Sequence, residues 1–170
     1  KDDAQNYDGS AKAQWSIEAA DANLFSIQLS NSSLVYNGTE LKPTATVKDG
    51  SAVLVEGTDY TLAYTNNVNV GTATVTATGI GNYSGTKTAN FTITQADMVI
   101  TVPTVKEGLV YTTQAQALAN AGTVEGGELM YSLDNTQWTT TVPTGTEAKE
   151  YTVYYKIVND ANHKAVEPQQ

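Results

Sequence analysis

Apolar and polar residues alternate along most of this chain. Segments 25–29, 60–64 and 86–94 each place apolar side chains at every second position. Because successive side chains of a strand point to opposite faces of a sheet, this period predicts half-buried strands. Turn signals rich in Gly, Asn and Asp separate the strands about every 8–12 residues, which is typical of an antiparallel β-sandwich. We therefore expect an all-β fold.

The strand signals occur twice in the same order. Ordered repetition of a multi-strand unit indicates separate modules in an array rather than one solenoid. We therefore predict two tandem small antiparallel Ig-like β-sandwich modules, residues 25–96 and 97–170. The matched segments are Leu34-Val35-Tyr36 with Leu109-Val110-Tyr111, Leu62-Ala63-Tyr64 with Leu129-Met130-Tyr131, Gly71-Thr72-Ala73-Thr74-Val75 with Lys149-Glu150-Tyr151-Thr152-Val153, and Gly81-Asn82-Tyr83 with Asp160-Ala161-Asn162-His163.

Two Ala-rich stretches, 16–23 and 114–120, are compatible with short helical turns. Ser16 is a candidate N-cap for the first, and the second reads equally as a strand. A β-grasp module, with four or five strands and one helix, is therefore the alternative fold. Residues 1–24 are either the tail of a preceding module or an extra layer on the first one. Residues 95–97 predict a short stiff linker, since they contain neither Gly nor Pro.

Local signals also predict individual turns and strands. Asn37-Gly38 is the preferred pair for a two-residue type I′ hairpin. Lys48-Asp49-Gly50-Ser51, between two apolar runs, predicts another hairpin. Segment 150–158 alternates for longest and predicts the longest strand.

Composition limits the classes of partner. The net charge is −9 and all nine basic residues are lysine, without clustering. Nucleic acid and anionic membranes are bound through clusters of Arg and Lys, so neither is expected. No apolar run is long enough to cross a bilayer. Cysteine is absent, which excludes disulfides. We expect a monomeric segment of a longer protein, whose partners are the neighbouring modules of that protein.

Residues suited to catalysis are scarce. His163 is the only histidine and lies in a predicted polar turn, where a triad would need a positioned partner and oxyanion donors. One His without Cys does not make a zinc site. Turn formation explains the oxygen ligands that calcium would use; these are Asp59, Asn66, Asn67, Asp134 and Asp160. We predict no enzyme activity, no catalytic residue, no cofactor and no metal site.

Carbohydrate binding is the functional alternative with most support in the residues. Sugar rings stack on exposed aromatic side chains, and four aromatics fall on predicted turns or on the polar face of a strand. The candidate glycan contacts are Trp15, Tyr83, Trp138 and Tyr154. Packing is the competing interpretation, above all for Trp138, which belongs to the repeated pattern. An intramolecular isopeptide bond joining Lys42 or Lys87 to Asn90 is a further hypothesis.

The first module resembles bacterial Ig-like repeats of large cell-surface and secreted proteins. The resemblance rests on an ordered set of short motifs. They are Tyr36-Asn37-Gly38, Pro43, Gly57-Thr58-Asp59-Tyr60-Thr61, Tyr64, Asn67, Gly71-Thr72-Ala73-Thr74-Val75, Gly79-Ile80-Gly81-Asn82-Tyr83-Ser84-Gly85 and Phe91-Thr92-Ile93.

The second module resembles the related surface repeats termed MBG domains. Its motifs are Leu109-Val110-Tyr111, Ala115-Gln116-Ala117-Leu118, Ala121-Gly122, Tyr131-Ser132-Leu133, Trp138, Pro143-Thr144, Tyr151-Thr152-Val153-Tyr154-Tyr155-Lys156 and Asp160-Ala161-Asn162-His163. It departs from the family pattern at Thr112-Thr113, where Gly is usual, and at Ala148-Lys149, where Ala-Gly is usual. Both departures fall in turns.

These resemblances imply a bacterial extracellular protein at the cell surface or cell wall. Such repeats serve as structural spacers that present neighbouring domains, and the families supply no catalytic residues. The alternative function is an adhesin-type module that binds polysaccharide or a host glycoprotein.

Overall fold

The computed structural model describes residues 12–166, and this part of the chain is almost entirely β-structure. Its single helical element is a 3-10 turn, Ala22–Leu24. The predicted all-β fold class is therefore confirmed. The β-grasp alternative requires an α-helix, and residues 12–166 contain none.

Nine strands precede Gln95 within the described residues. They form a four-stranded sheet in the order β3-β9-β7-β6, a three-stranded sheet β2-β4-β5 and a two-stranded ladder β1-β8. Their bounds are β1 (Ala20–Asp21), β2 (Ser26–Leu29), β3 (Ser33–Val35), β4 (Ala45–Asp49), β5 (Ala52–Val53), β6 (Tyr60–Thr65), β7 (Gly71–Gly79), β8 (Tyr83–Ser84) and β9 (Thr86–Thr94).

Eight strands follow Asp97 in the described part. They pair two by two, as β10-β14, β11-β13, β12-β16 and β15-β17. Their bounds are β10 (Val99–Thr101), β11 (Thr104–Val105), β12 (Gln116–Ala117), β13 (Ala119–Asn120), β14 (Thr123–Glu125), β15 (Gly127–Ser132), β16 (Thr144–Gly145) and β17 (Tyr154–Asn159). Each of these sheets takes its strands from one side of Gln95.

The two larger sheets before Gln95 face each other across an apolar core. Val47 of β4 packs in one cluster with Tyr60 of β6 and Ala77 of β7. Leu29 of β2 packs against a second cluster that contains Phe91 of β9. Burial alternates along β7 and β9, as the period of two predicts. The arrangement is sandwich-like.

The segment 20–24 is attached to this part of the chain through β1 and Ala22. β1 runs parallel to β8, and Ala22 is fully buried beside Phe25. The 3-10 turn is capped by the Asp21 carboxylate, which accepts a hydrogen bond from the Asn23 N–H at 2.8 Å. The predicted helical turn thus begins at Ala22, and the expectation that Ser16 is its N-cap was wrong.

The hairpin prediction was right at one position and wrong at another. β4 and β5 pair through Lys48 with Val53, across a two-residue turn in which Gly50 has φ +56°. By contrast, β3 does not fold back at Asn37. It pairs in parallel with β9, more than 50 residues later, and the Asn37 side chain accepts a hydrogen bond from the Thr39 N–H, which forms an Asx turn.

The part after Asp97 departs furthest from the repeat pattern. Residues 109–111 belong to none of the strands and are exposed, although their predicted counterpart forms β3. The strand predicted over residues 150–158 begins only at Tyr154, because residues 151–153 precede β17. The Ala-rich stretch 114–120 forms β12 and β13 rather than a helical turn. Of the matched segments, only 62–64 and 129–131 both lie entirely within strands.

We expect Phe91→Ala to lower the free energy of unfolding by about 3–5 kcal/mol, because the ring is buried and its removal leaves a cavity. Urea unfolding followed by far-UV circular dichroism measures the change. Thr88→Ala, on the exposed face of the same strand, is the control and should stay within about 0.5 kcal/mol of the parent. Equal effects of the two substitutions would contradict the assigned faces of β9.

Candidate functional site

The four predicted glycan contacts do not form one site. Trp15 precedes the first strand with 91% of its surface exposed. Tyr83 is half-buried, and its ring meets Phe25 edge to face at 5.2 Å. Burial raises the pKa of Tyr83, followed by the charges of Asp49 and Asp59. Tyr83 therefore contributes to the core of the part before Gln95.

Trp138 and Tyr154 lie in one row across three chain segments. Thr139 pairs with Tyr131 of β15 through two backbone hydrogen bonds, of 2.7 and 2.9 Å. Ser132 of the same strand pairs with Tyr154 of β17. The antiparallel register therefore places Trp138 and Tyr154 on either side of Ser132, on one sheet face. Strand spacing sets them about 10 Å apart.

Lys156 joins this row, and sequence reasoning did not identify it as a site residue. It shares a face of β17 with Tyr154, and its Nζ lies 4.2 Å from the centroid of the Trp138 ring. This is the geometry of a cation–π contact. The period of two along β17 was the signal for the shared face, but the contact with Trp138 depends on the register of a non-neighbouring segment. Trp138, Ser132, Tyr154 and Lys156 are called the aromatic row below.

A hydrogen-bonded turn beside the aromatic row fixes its position. The Asp134 carboxylate accepts hydrogen bonds from the Gln137 and Thr136 N–H groups, each at 2.8 Å, and from the Ser132 hydroxyl at 2.9 Å. These bonds, led by that from Gln137, hold the pKa of Asp134 far below its ordinary value. Asn135 takes the left-handed conformation that the turn requires, with φ +59°.

A second polar cluster lies where residues 95–97 meet the turn 160–163. The Asn162 Oδ1 accepts a hydrogen bond from the Val70 N–H at 2.9 Å, and its Nδ2 donates to the Asn69 Oδ1 at 3.2 Å. Ala96 and His163 form a parallel bridge. The Ala96 N–H donates to the Asn162 carbonyl at 3.0 Å, and the Lys164 N–H donates to the Ala96 carbonyl at 2.9 Å. This set of contacts is called the junction.

The His163 side chain is enclosed within the junction. Only 14% of it is exposed. Its ring meets Tyr36 edge to face at 5.3 Å. On another side it lies against Gly126, where a Cβ would approach the ring to 2.4 Å, and Gly126 itself has φ +97°. These contacts give His163 a packing role in the joint.

Asp160 orients the His163 ring. The two side chains meet at 2.8 Å, between the His163 Nδ1 and the Asp160 Oδ1. A carboxylate only accepts, so Nδ1 carries the proton of this bond. The hydrogen bond from His163 lowers the pKa of Asp160, and the Asn162 N–H, which donates to the same oxygen at 2.8 Å, adds to the effect.

The three carboxylates considered for calcium, Asp59, Asp134 and Asp160, accept local hydrogen bonds. The Asp59 carboxylate accepts from the Val55 N–H, and the Asn67 amide donates to the Leu41 carbonyl. Asn66 occupies a left-handed turn position with φ +55°. Within residues 12–166, no three His, Asp or Glu side chains are grouped closely enough to hold a metal ion.

The residues considered for an isopeptide bond have other partners. The Lys87 Nζ donates to the Asn23 carbonyl at 2.9 Å. Asn90 accepts from the Thr74 hydroxyl at 3.0 Å. Because Lys87 and Asn90 are three positions apart on β9, they lie on opposite faces of the sheet.

Comparison with known proteins found no match to any family model, curated protein or solved structure. Within residues 12–166, no helix has the length and apolar character needed to span a membrane.

We expect the junction to weaken in acid. The folded-state pKa of Asp160 is lower than the ordinary value of 3.8, so the ionised form favours the folded turn. Its contribution is fully present above that ordinary value and is lost as the pH falls through the folded pKa. The amide resonances of Ala96 and Asn162, followed by NMR from about pH 7 to about pH 2, measure the transition.

Asp160→Asn is the control for this titration. It retains an oxygen that accepts from the Asn162 N–H but carries no charge. The acid transition of the two amides should be absent from this variant. A transition of unchanged midpoint and size in Asp160→Asn would assign it to another group.

Proposed function

We propose that the chain is a non-catalytic spacer from a bacterial cell-surface or secreted protein, in which it presents neighbouring domains. The observation that carries the proposal is the junction. Residues 95–97 do not form a free linker there, because backbone and side-chain hydrogen bonds attach them to the segment 161–164. A spacer needs such a joint, since bending at a free linker would shorten its reach.

The junction also connects segments distant in sequence on both sides of Gln95. Asn162 contacts Asn69 and Val70, and the Gln95 amide donates to the Ala161 carbonyl at 3.3 Å. Lys164 and Asp97 form an exposed ion pair at 2.7 Å, which adds little in water. The part-buried hydrogen bond from Val70 to Asn162 and the His163–Tyr36 contact are therefore the stronger restraints.

The setting outside the cell is part of the same proposal. The ordered motifs that resemble bacterial Ig-like and MBG-type surface repeats support it. An acidic chain without arginine or cysteine is compatible with this setting.

We expect Asn162→Ala to loosen the junction. It removes the acceptor of the half-buried Val70 N–H, and an unsatisfied donor of this kind costs about 1–3 kcal/mol. Small-angle X-ray scattering should show a broader distribution of maximum dimensions than in the parent. The control is Asn82→Ala, at an exposed turn residue whose side chain makes no hydrogen bond within residues 12–166. A parent distribution as broad as that of Asn162→Ala would refute a rigid joint.

Glycan binding is the second candidate function, and the aromatic row favours it. An indole, a phenol and an ammonium group lie on one sheet face, on the two segments that flank β15. The Lys156 ammonium occupies one face of the Trp138 ring, so a sugar would stack on Tyr154 and reach the ammonium with a hydroxyl group.

Affinity electrophoresis against neutral polysaccharides and mucins tests this second candidate. Binding at the aromatic row predicts that one polymer class retards the chain, that Tyr154→Ala abolishes the retardation, and that Trp15→Ala leaves it unchanged. Free migration in every polymer, or loss with Trp15→Ala alone, would eliminate the row as a glycan site.

A further inference from the structure

A small cleft lies in the part after Asp97, away from both the aromatic row and the junction. Its volume is about 240 Å³. One wall is the segment 109–111, and the other is the segment 145–151. The floor is the ladder of β12 and β16, in which Gln116 pairs with Gly145. The first wall belongs to no strand, so its side chains face the cleft and solvent rather than a second sheet.

Two tyrosines give the cleft its aromatic character. Tyr111 lines the cleft and is 61% exposed. Tyr151 is half-buried, and its ring lies on the backbone of Gly145, where a Cβ would approach a ring carbon to 2.6 Å. The Tyr151 hydroxyl accepts a hydrogen bond from the Glu147 N–H at 3.1 Å. The second ring is thus held in place, whereas the first is available to a ligand.

Hydrogen-bond donors and acceptors line the same cleft. The Lys149 Nζ lies 3.1 Å from the Glu147 Oε2 and 5.2 Å from the centroid of the Tyr151 ring. The hydrogen bond with Glu147 raises the pKa of Lys149. The Gln116 Nε2 donates to the Val110 carbonyl at 2.9 Å. This bond does not use the Gln116 amide oxygen, which can accept a hydrogen bond from a ligand. The site therefore offers a carboxylate, an ammonium and an amide, with charges that cancel.

We infer that this cleft binds a single neutral pyranose unit of a polysaccharide. Its volume lies below the usual range for drug-sized ligands, about 300–1,000 Å³, and suits one sugar ring. The apolar face of a pyranose stacks on the open ring of Tyr111. Its hydroxyls, which both donate and accept, match Glu147, Lys149 and Gln116.

Charge selects against anionic sugars. Among the residues that the structure describes, Lys149 is the one cation that lines the cleft, and Glu147 neutralises it. The chain as a whole carries a net charge of −9, which repels carboxylated or sulfated ligands at long range. The site stands whether or not the chain also serves as a spacer, because it depends on neither the junction nor residues 95–97.

The direct test is a titration of the full ¹⁵N-labelled chain with methyl glycosides of glucose, galactose, mannose and N-acetylglucosamine, followed by NMR. We expect at least one glycoside to cause saturable shifts in the Gln116 side-chain amide and in the backbone amides of Tyr111 and Glu147. The expected Kd is roughly 1–10 mM, the range for ligands of about 13–16 heavy atoms at modest efficiency per atom.

Two substitutions and one control complete the test. Tyr111→Ala should weaken binding roughly tenfold, since it removes the stacking surface. Gly145→Ala should weaken it as well, because the new methyl group displaces the Tyr151 ring. Tyr154→Ala, in the aromatic row, should leave the affinity unchanged. In Tyr111→Ala and Gly145→Ala, unshifted amides of β15 and β17 report that the variant is folded. In Tyr154→Ala, which lies on β17, the amides of β10 and β14 serve this purpose.

Two results would overturn the inference. One is the absence of saturable shifts at the cleft with all four glycosides. The other is binding that Tyr154→Ala abolishes and Tyr111→Ala leaves unchanged, which would place the sugar at the aromatic row. Neither result bears on the spacer proposal, which scattering tests through Asn162.

Discussion

The relation between the two parts of the chain depends on one amide side chain. Asn162 uses its oxygen and its nitrogen at once, on Val70 and on Asn69. Its own backbone carbonyl receives the Ala96 N–H. Three bonds from one residue thus join a loop of the first part, the connecting segment and the last turn of the second part. These bonds restrain how the two parts are placed relative to each other, which the covalent connection alone would not do.

The two parts achieve stability by different means. Before Gln95, two sheets face each other and bury Phe25, Phe91 and Ile93 almost completely. In the described residues after Asp97, Tyr131 is the one large hydrophobic side chain that is fully buried. Its hydroxyl accepts a hydrogen bond from the Gly122 N–H at 3.0 Å. Paired short strands, side-chain hydrogen bonds and packed rings stabilise this second part where a wide core is missing. The cleft and the turn 160–163 both belong to this hydrogen-bonded region.

Sequence reasoning was most accurate where the local pattern and the tertiary environment require the same conformation. β6, β7 and β9 alternate cleanly because one face packs on a second sheet and the other meets water. Residues 109–111 carry the same apolar pattern as β3 but have no neighbouring strand to pair with. Because a strand needs a partner, the pattern of one segment alone does not decide whether it forms a strand. The hairpin predicted at Asn37-Gly38 was wrong for a related reason. β3 pairs in parallel with β9, so the chain does not fold back on β3 at this turn.

The candidate sites show the same limit. Tyr154 and Lys156 were predictable as neighbours on one face from the period of two. Their meeting with Trp138 depends on the bridge of Thr139 to Tyr131, which no local signal encodes. His163 and Asn162 were recognised as turn residues, yet their partners Tyr36 and Val70 lie more than 90 residues earlier. Tyr111 was assigned to a strand, so its place in a cleft was not anticipated. Contacts between distant segments were the information missing from the sequence pattern.

The chemistry of the junction determines which substitutions it tolerates. The second part supplies the specific side chains, Asn162 and His163, together with the Gly126 that makes room for the imidazole. The first part and the connecting segment contribute main-chain atoms, the Val70 N–H and the amide groups of Ala96. They also contribute the side chains of Asn69, Gln95 and Tyr36. Main-chain atoms are the same in every amino acid except proline. A different residue at position 70 or 96, proline excepted, therefore keeps the main-chain bonds of the junction, whereas substitution of Tyr36, Asn69 or Gln95 removes a side-chain contact.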